Sequence, residues 1–200
     1  MTKKRLSANV ITKMAFLAAL LCSSAYISVA IPFTPVVITF QTMIINLISI
    51  LLTPTESFIT ILVYTIIGLI GIPVFSGGTG GVGRLFGPTG GYILAFIVAV
   101  PVMSFTKVFF ARIFKRFIKN ETLAKTIAYS VNAILVGMVL ILGIGTVYMK
   151  LTYVSGTSAA TWGGVIAIAV LPFLPLDIVK CIAAAVIGVR LEKIHRLSER

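Results

Sequence analysis

The chain contains a single aspartate, Asp177, and Lys180 follows three positions later in PFLPLDIVKCIAAAVIGV, a stretch that is otherwise apolar. At i, i+3 on a helix the two side chains share a face and can reach each other or one ligand. Ionisable groups inside a membrane helix are costly to bury, so they are read as functional by default. Asp177 also falls in the first turn of its predicted helix, where the macrodipole favours an anion. The competing explanation is a structural ion pair that neutralises itself near the interface. A carboxylate accepts hydrogen bonds from N–H groups and an ammonium attracts anions. The pair therefore suits a small polar ligand carrying both features.

A second stretch with chemical potential is IPVFSGGTGGVGRLFGPTGGY, from Ile72 to Tyr92, with Arg84 its only charge. Each glycine inside a helix costs about 1 kcal/mol relative to alanine, so a loop is expected here. Irregular backbone beside a bilayer survives where it is buried in protein or lines a cavity. The loop is thus a candidate wall or lid, and its backbone, as at Gly78, can approach a ligand closely. Gly78 to Gly83 matches G-x-G-x-x-G and has the glycine spacing of a P-loop. Neither match survives its context. No βαβ unit or acidic residue about 20 positions on accompanies it, and Arg84-Leu85 stands where Lys-Ser/Thr is required.

Other residues offer less. Ala15 and Ala19 form a small-xxx-small pair, which either packs internally or meets a partner helix. Gln41 and Asn132, within predicted spans, suit hydrogen bonds between helices. Cys22 and Cys181 read as buried small hydrophobes, and His195 lies in a polar tail. No Cys/His cluster has metal-ligand spacing, no second acid stands near Asp177, and no nucleophile is apparent. Neither a metal, a cofactor nor a catalytic residue is expected.

The elements that hold these residues follow from composition. The chain is 58% hydrophobic and 11% charged, with a mean hydropathy of +1.11. The reading is an all-α integral membrane protein, a single domain over residues 1–200. Its apolar runs are continuous rather than alternating, which argues against a β-barrel. Six crossings of roughly 20 residues each fit the length. They are expected at Met14–Ala30, Val36–Thr53, Phe58–Ile72, Gly91–Phe110, Thr126–Tyr148 and Pro175 to about Ile194. Residues 1–13 form a basic segment, with an amphipathic surface helix one option for it. Ile31–Pro35 and Pro54–Ser57 read as short turns, Arg112–Lys125 as a basic loop and Lys150–Thr161 as a polar loop. The stretch from Trp162 reads either as one long kinked helix to Gly188 or, the preferred reading, as a short apolar segment, Trp162–Val170, before a break at Pro172 and Pro175. Proline is favoured at a helix start and disfavoured inside.

The net charge of +12 gathers at segment ends, so it marks topology rather than nucleic-acid binding. Lys3, Lys4, Arg5, Lys13, Arg112, Lys115, Arg116, Lys119, Lys125, Arg190, Lys193, Arg196 and Arg200 fall on one face of the predicted bundle. Arg84 and Lys150 fall on the other. The positive-inside rule then places both termini in the cytoplasm. The glycine-rich loop between helices 3 and 4 faces outward.

Four ordered motifs resemble the BioY family: IPFTPVVITFQT at 31–42, GLIGIPVFSGGTGG at 68–81, FGPTGGY at 86–92 and PFLPLDIVK at 172–180. These proteins are the biotin-specific S components of energy-coupling factor (ECF) transporters. The resemblance spans nearly the whole chain. It implies a high-affinity biotin-binding subunit of the cell membrane, working with a transmembrane coupling protein and two cytoplasmic ATPases. ATP would be used by those partners only. Ala15 and Ala19 match the helix that meets the coupling protein. Asp177 and Lys180 match the biotin-binding pair, and Thr79, Gly78 and Arg84 belong to the lid. Tyr92 and Phe75 are candidate walls for the ring and alkyl chain, and Gln41 joins the implied ligand set. Thr79 stands where relatives can carry Asn. Ile93 stands where some relatives place a cation, which Arg84 would then supply. The partner of the biotin carboxylate stays open between Arg84 and Lys180.

Two other classes are weighed beside this one. A stand-alone secondary carrier, for biotin or another small vitamin, needs an ion-coupling site, and it would transport without an ATPase. An intramembrane enzyme needs a catalytic dyad, and it would turn a substrate over covalently.

Overall fold

The computed structural model describes residues 7–152 and 161–198, with side chains described only as far as Ile194 in the last helix. Lys3, Lys4, Arg5, Glu199, Arg200 and most of the predicted polar loop lie outside the described residues, and so do the side chains of His195 and Arg196. Eight α-helices are described: α1 Ala8–Ser24, α2 Gln41–Leu51, α3 Pro54–Leu69, α4 Gly90–Phe117, α5 Glu121–Asn132, α6 Val139–Thr152, α7 Trp162–Ala169 and α8 Leu174–Ser198. A π-helical turn, Ala133–Met138, joins α5 to α6, so Glu121–Thr152 runs as one rod. Two helices are long and apolar enough to cross a membrane, Gly90–Phe117 and Glu121–Thr152. A third span results if α7 and α8, bent by 46°, are counted together, and α1, α2 and α3 are shorter apolar helices.

Several ends differ from expectation, each for a local reason. The first helix begins at Ala8, where the Ser7 side chain accepts from the Val10 N–H. It stops at Ser24 rather than Ala30. Ser28–Val29 instead pairs antiparallel with Ile38–Thr39. The expected tight turn at Ile31–Pro35 is the connection inside this hairpin, and α2 starts only at Gln41. Pro54–Ser57 is not a turn but the first turn of α3. Thr53 and Glu56 form a capping box there, with Pro54 in the first turn, where its missing N–H does no harm. The expected basic loop is largely helical: Arg112, Lys115 and Arg116 end α4, and Lys125 lies in α5. The break before the last helix is present, and Pro175 sits in the first turn of α8.

Helix α4 is central and packs on α2, α3, α5 and α6, while α8 lies on α2 and α5 and α1 on α2 and α3. The main core gathers Leu21, Ile45, Ile48, Ile61, Tyr64, Val100 and Met103 from α1 to α4. Large apolar side chains such as Phe16, Phe105 and Phe117 stay exposed on the outside, as lipid-facing surface would be. On α1, Ala15 and Ala19 are exposed, whereas Met14, Leu17, Ala18 and Leu21 are buried on the opposite face. Asn132 donates to the Met103 carbonyl at 2.9 Å and accepts from the Thr106 hydroxyl at 2.6 Å, bonding α5 to α4 as its place in a span predicted.

Candidate functional site

Three segments meet at one end of the bundle: the 28–39 hairpin, the glycine-rich loop and the α7–α8 break. They enclose a cleft of about 700 Å³, counting its open mouth, with walls mostly apolar.

The ion pair stands in the cleft wall. Lys180 Nζ lies 3.0 Å from Asp177 Oδ1, and both residues are only 7% exposed. The hairpin supplies a further support, since Lys180 also donates to the Thr39 carbonyl at 2.8 Å. Thr42, one residue into α2 from Gln41, donates to the same Asp177 Oδ1 at 3.2 Å. Two donors thus converge on Oδ1, while among the described residues none donates to Oδ2. The ammonium has three protons and uses two. One carboxylate oxygen and one N–H therefore remain for a ligand.

Gln41 is a brace. Its amide donates to the Tyr64 hydroxyl at 2.7 Å and to the Val74 carbonyl at 3.1 Å. Its own carbonyl accepts from Thr39 Oγ1 at 3.3 Å. Both amide groups are engaged, so Gln41 ties the hairpin, α2, α3 and the loop together. Tyr92 donates to the Ala169 carbonyl at 3.1 Å, which fixes its ring between α4 and α7.

The loop has its own small architecture. Phe75 and Thr79 exchange backbone hydrogen bonds of 2.8 and 3.1 Å, closed by Gly77 and Gly78 at φ of +75° and +66°. Side-chain-bearing residues rarely adopt two successive positive φ angles. The turn aims the Phe75 ring inward, edge-on to Tyr64 at 5.8 Å. There the ring lies so close to the Gly68 backbone that a Cβ would overlap it. Arg84 follows in a short 3₁₀ turn, Val82–Arg84. It is exposed, borders the cleft, and has no ion pair among the described residues.

Of the sequence candidates, Asp177, Lys180, Thr79, Arg84, Tyr92, Phe75 and Gln41 all border this one cleft. Gly78 does not; it forms the tip of the turn, against the Tyr26 ring. Thr42, the Thr39 carbonyl and Phe173 were not singled out from the sequence, although Thr42 adjoins Gln41 inside a motif that was. Lys107 was also passed over. Its ammonium donates to the carbonyls of Ser49, Ile50 and Leu52 at 2.8, 2.6 and 2.7 Å and so caps the end of α2 away from the cleft. A lysine within an apolar span is itself the signal that finds it. No group of three or more His, Cys, Asp or Glu side chains with metal-binding geometry occurs among the described residues.

The comparisons with known proteins agree with one another. Residues 1–197 match the model of the BioY family. A Lactococcus lactis protein named biotin transporter BioY2 is 35% identical over 184 residues, covering 90% of this chain and 91% of its own length. A probable biotin transporter BioY of Pyrococcus horikoshii is 34% identical, covering 94% and 98%. A crystal structure of the S component for biotin from an ECF-type ABC transporter superposes with a TM-score of 0.77 at 27% identity, covering 96% of this chain and 95% of that one. With residues 1–197 matched by the family model and relatives alike over nine-tenths of its length, the chain belongs to the BioY family.

Proposed function

We propose that this chain is the biotin-binding subunit of an ECF-type uptake system. One observation carries the reading: a single cleft brings together a carboxylate and an ammonium that each keep one hydrogen-bonding position open among the described residues, and an exposed arginine that has no ion pair among them. Biotin presents complementary groups. A ureido N–H donates to Asp177 Oδ2, and the ureido carbonyl accepts the remaining Lys180 proton. Lys180 is already committed to Asp177 and Thr39, so the valerate carboxylate goes to Arg84. The rings of Tyr92, Phe75 and Phe173 cover the thioether ring and alkyl chain, with Thr79 beside them on the lid. Burial of Asp177 and Lys180 makes each of them selective, because a ligand lacking the partner leaves it unsatisfied.

In this reading six segments cross the membrane: α1, α2, α3, α4, the Glu121–Thr152 rod and the bent α7–α8 pair. The termini and the basic end lie in the cytoplasm, and the cleft opens outward. Energy comes, in this reading, from partner ATPases through a coupling protein, as the likeness to the S component of an ECF-type ABC transporter suggests. That protein docks on the face of α1 where Ala15 and Ala19 are exposed. The chain performs no covalent chemistry on its ligand.

Calorimetric titration of the detergent-solubilised protein tests the substrate, with riboflavin and thiamine as controls. Biotin is expected to bind tightly, the other vitamins not at all, and Asp177→Asn is expected to weaken biotin by about a hundredfold while staying folded. A folded wild type without a biotin signal overturns the assignment.

A further inference from the structure

Beneath the ion pair lies a narrow void that shares Thr42, Ile141, Leu142 and Asp177 with the cleft wall and is closed by Asn46, Met138 and Cys181. Thr42 and Asn46 are one turn apart on α2, and Asp177 and Cys181 are one turn apart on α8. The two helices therefore meet in two polar rungs. The upper rung is the Thr42–Asp177 hydrogen bond. The lower is Asn46 Nδ2 donating to Cys181 Sγ at 3.5 Å. Asn46 is 3% exposed, yet its Oδ1 has no partner among the described residues. Exchanging the amide oxygen and nitrogen does not remove the problem, since one end of the amide then still faces the void unpaired. Burying such an atom without a partner is unfavourable, and structures resolve it with a ligand group or a held water. The void is too cramped for a ring system but is lined by enough polar groups to hold a water.

We propose that Asn46 is a positioning residue of the biotin site, acting through one water held in this void. The water donates one proton to Asn46 Oδ1 and the other to the Asp177 carboxylate, and its oxygen accepts from the Cys181 thiol. With Thr42 and Lys180 on Oδ1, this third donor fixes the carboxylate plane from below, so that an open lone pair faces the cleft. The π-turn contributes by placing Met138 at the back of the void; such turns recur where a helix must re-aim side chains at a site. The inference rests on the biotin reading and concerns how its principal acceptor is held.

The test is a double-mutant cycle on biotin affinity, with a thermal melt on each variant. Asn46→Leu keeps the branched shape and removes the polar end; it is expected to weaken biotin by about ten- to a hundredfold, the range for one hydrogen bond to a charged group. In an Asp177→Asn background the same change is expected to do nothing further, because the water then has no charge to position. Asn46→Ser retains a hydrogen-bonding group and is expected to stay within about threefold of wild type, which also covers an Asn46→Leu that fails to fold. A wild-type affinity in Asn46→Leu overturns the inference, and so does an equal loss in both backgrounds, which would mark Asn46 as packing between α2 and α8 only. A wild type that does not bind biotin overturns the functional reading as well and is thereby distinguishable.

Discussion

At the scale of single residues the site divides its labour by burial. Asp177 and Lys180 are deep and hold each other, whereas Arg84 is exposed at the border of the same cleft. An exposed guanidinium stays hydrated until an anion arrives, and it binds a carboxylate through two parallel N–H donors. Arg84→Gln should therefore weaken biotin by about tenfold while leaving the affinity for biotin amide, which lacks the charge, nearly unchanged. Paired titrations of the two ligands check this. Equal losses for both would move the carboxylate to Lys180. Lys180→Met should behave differently. It removes the supports on both Asp177 Oδ1 and the Thr39 carbonyl, so biotin and its amide should suffer alike, by a hundredfold or so if about 3 kcal/mol is lost. Asp177 and Lys180 were legible from the sequence because charge inside an apolar helix is rare and i, i+3 spacing fixes a face. Thr42 and Asn46 were not, because a threonine and an asparagine in a membrane helix have many innocuous partners, and only the crossing of α2 with α8 decides which they meet.

At the scale of elements the segments around the site are held by specific close contacts. Gly68 leaves space on α3 for the Phe75 ring, and that ring is one wall of the cleft. Gly68→Ala should push the loop outward and weaken biotin severalfold with little effect on the helices, which titration and circular dichroism together would register. At the opposite end, Lys107 satisfies three carbonyls that close α2, and Ser104 donates to one of them at 2.6 Å. A helix end buried in protein needs such partners. Lys107→Met should lower the stability of the folded chain by about 1–3 kcal/mol, seen as a lower melting temperature in detergent, without touching ligand selectivity. The sequence foresaw which segments would be helical but not where they end. Hydropathy follows where chain is apolar, and Ser28–Val29 is as apolar as helix. Its pairing with Ile38–Thr39 depends on the two prolines, Pro32 and Pro35, that return the chain on itself. The start of α3 was legible in principle, since Thr53, Pro54 and Glu56 spell a capping box. Proline read as a turn concealed it.

At the scale of the whole molecule the two ends carry different physics. The cleft lies beside Asp177, and Glu192 lies roughly 22 Å further along α8 at 1.5 Å per residue. There Lys125 bridges to Glu192 at 3.4 Å and to Glu121 at 3.7 Å, and Arg112 and Lys115 remain exposed. In the proposed reading binding and energy coupling use separate surfaces, since Asp177 and Lys180 are buried while Ala15 and Ala19 stand exposed on α1, outside the core. Small residues let another helix approach closely in lipid, where hydrophobicity gives no drive for association. Replacing both alanines with leucine adds bulk to a surface left exposed by the described residues, so folding and biotin affinity in detergent should remain as in wild type. Biotin uptake by cells should nevertheless collapse, and the coupling protein should no longer co-purify. This combination separates a subunit that needs a partner from a carrier that works alone. A carrier would keep its uptake, since its ligand site and bundle are untouched, and it would also keep it when the ATPases are deleted. Loss of uptake together with loss of biotin affinity would instead place Ala15 and Ala19 in the packing of the bundle, in spite of their exposure on α1.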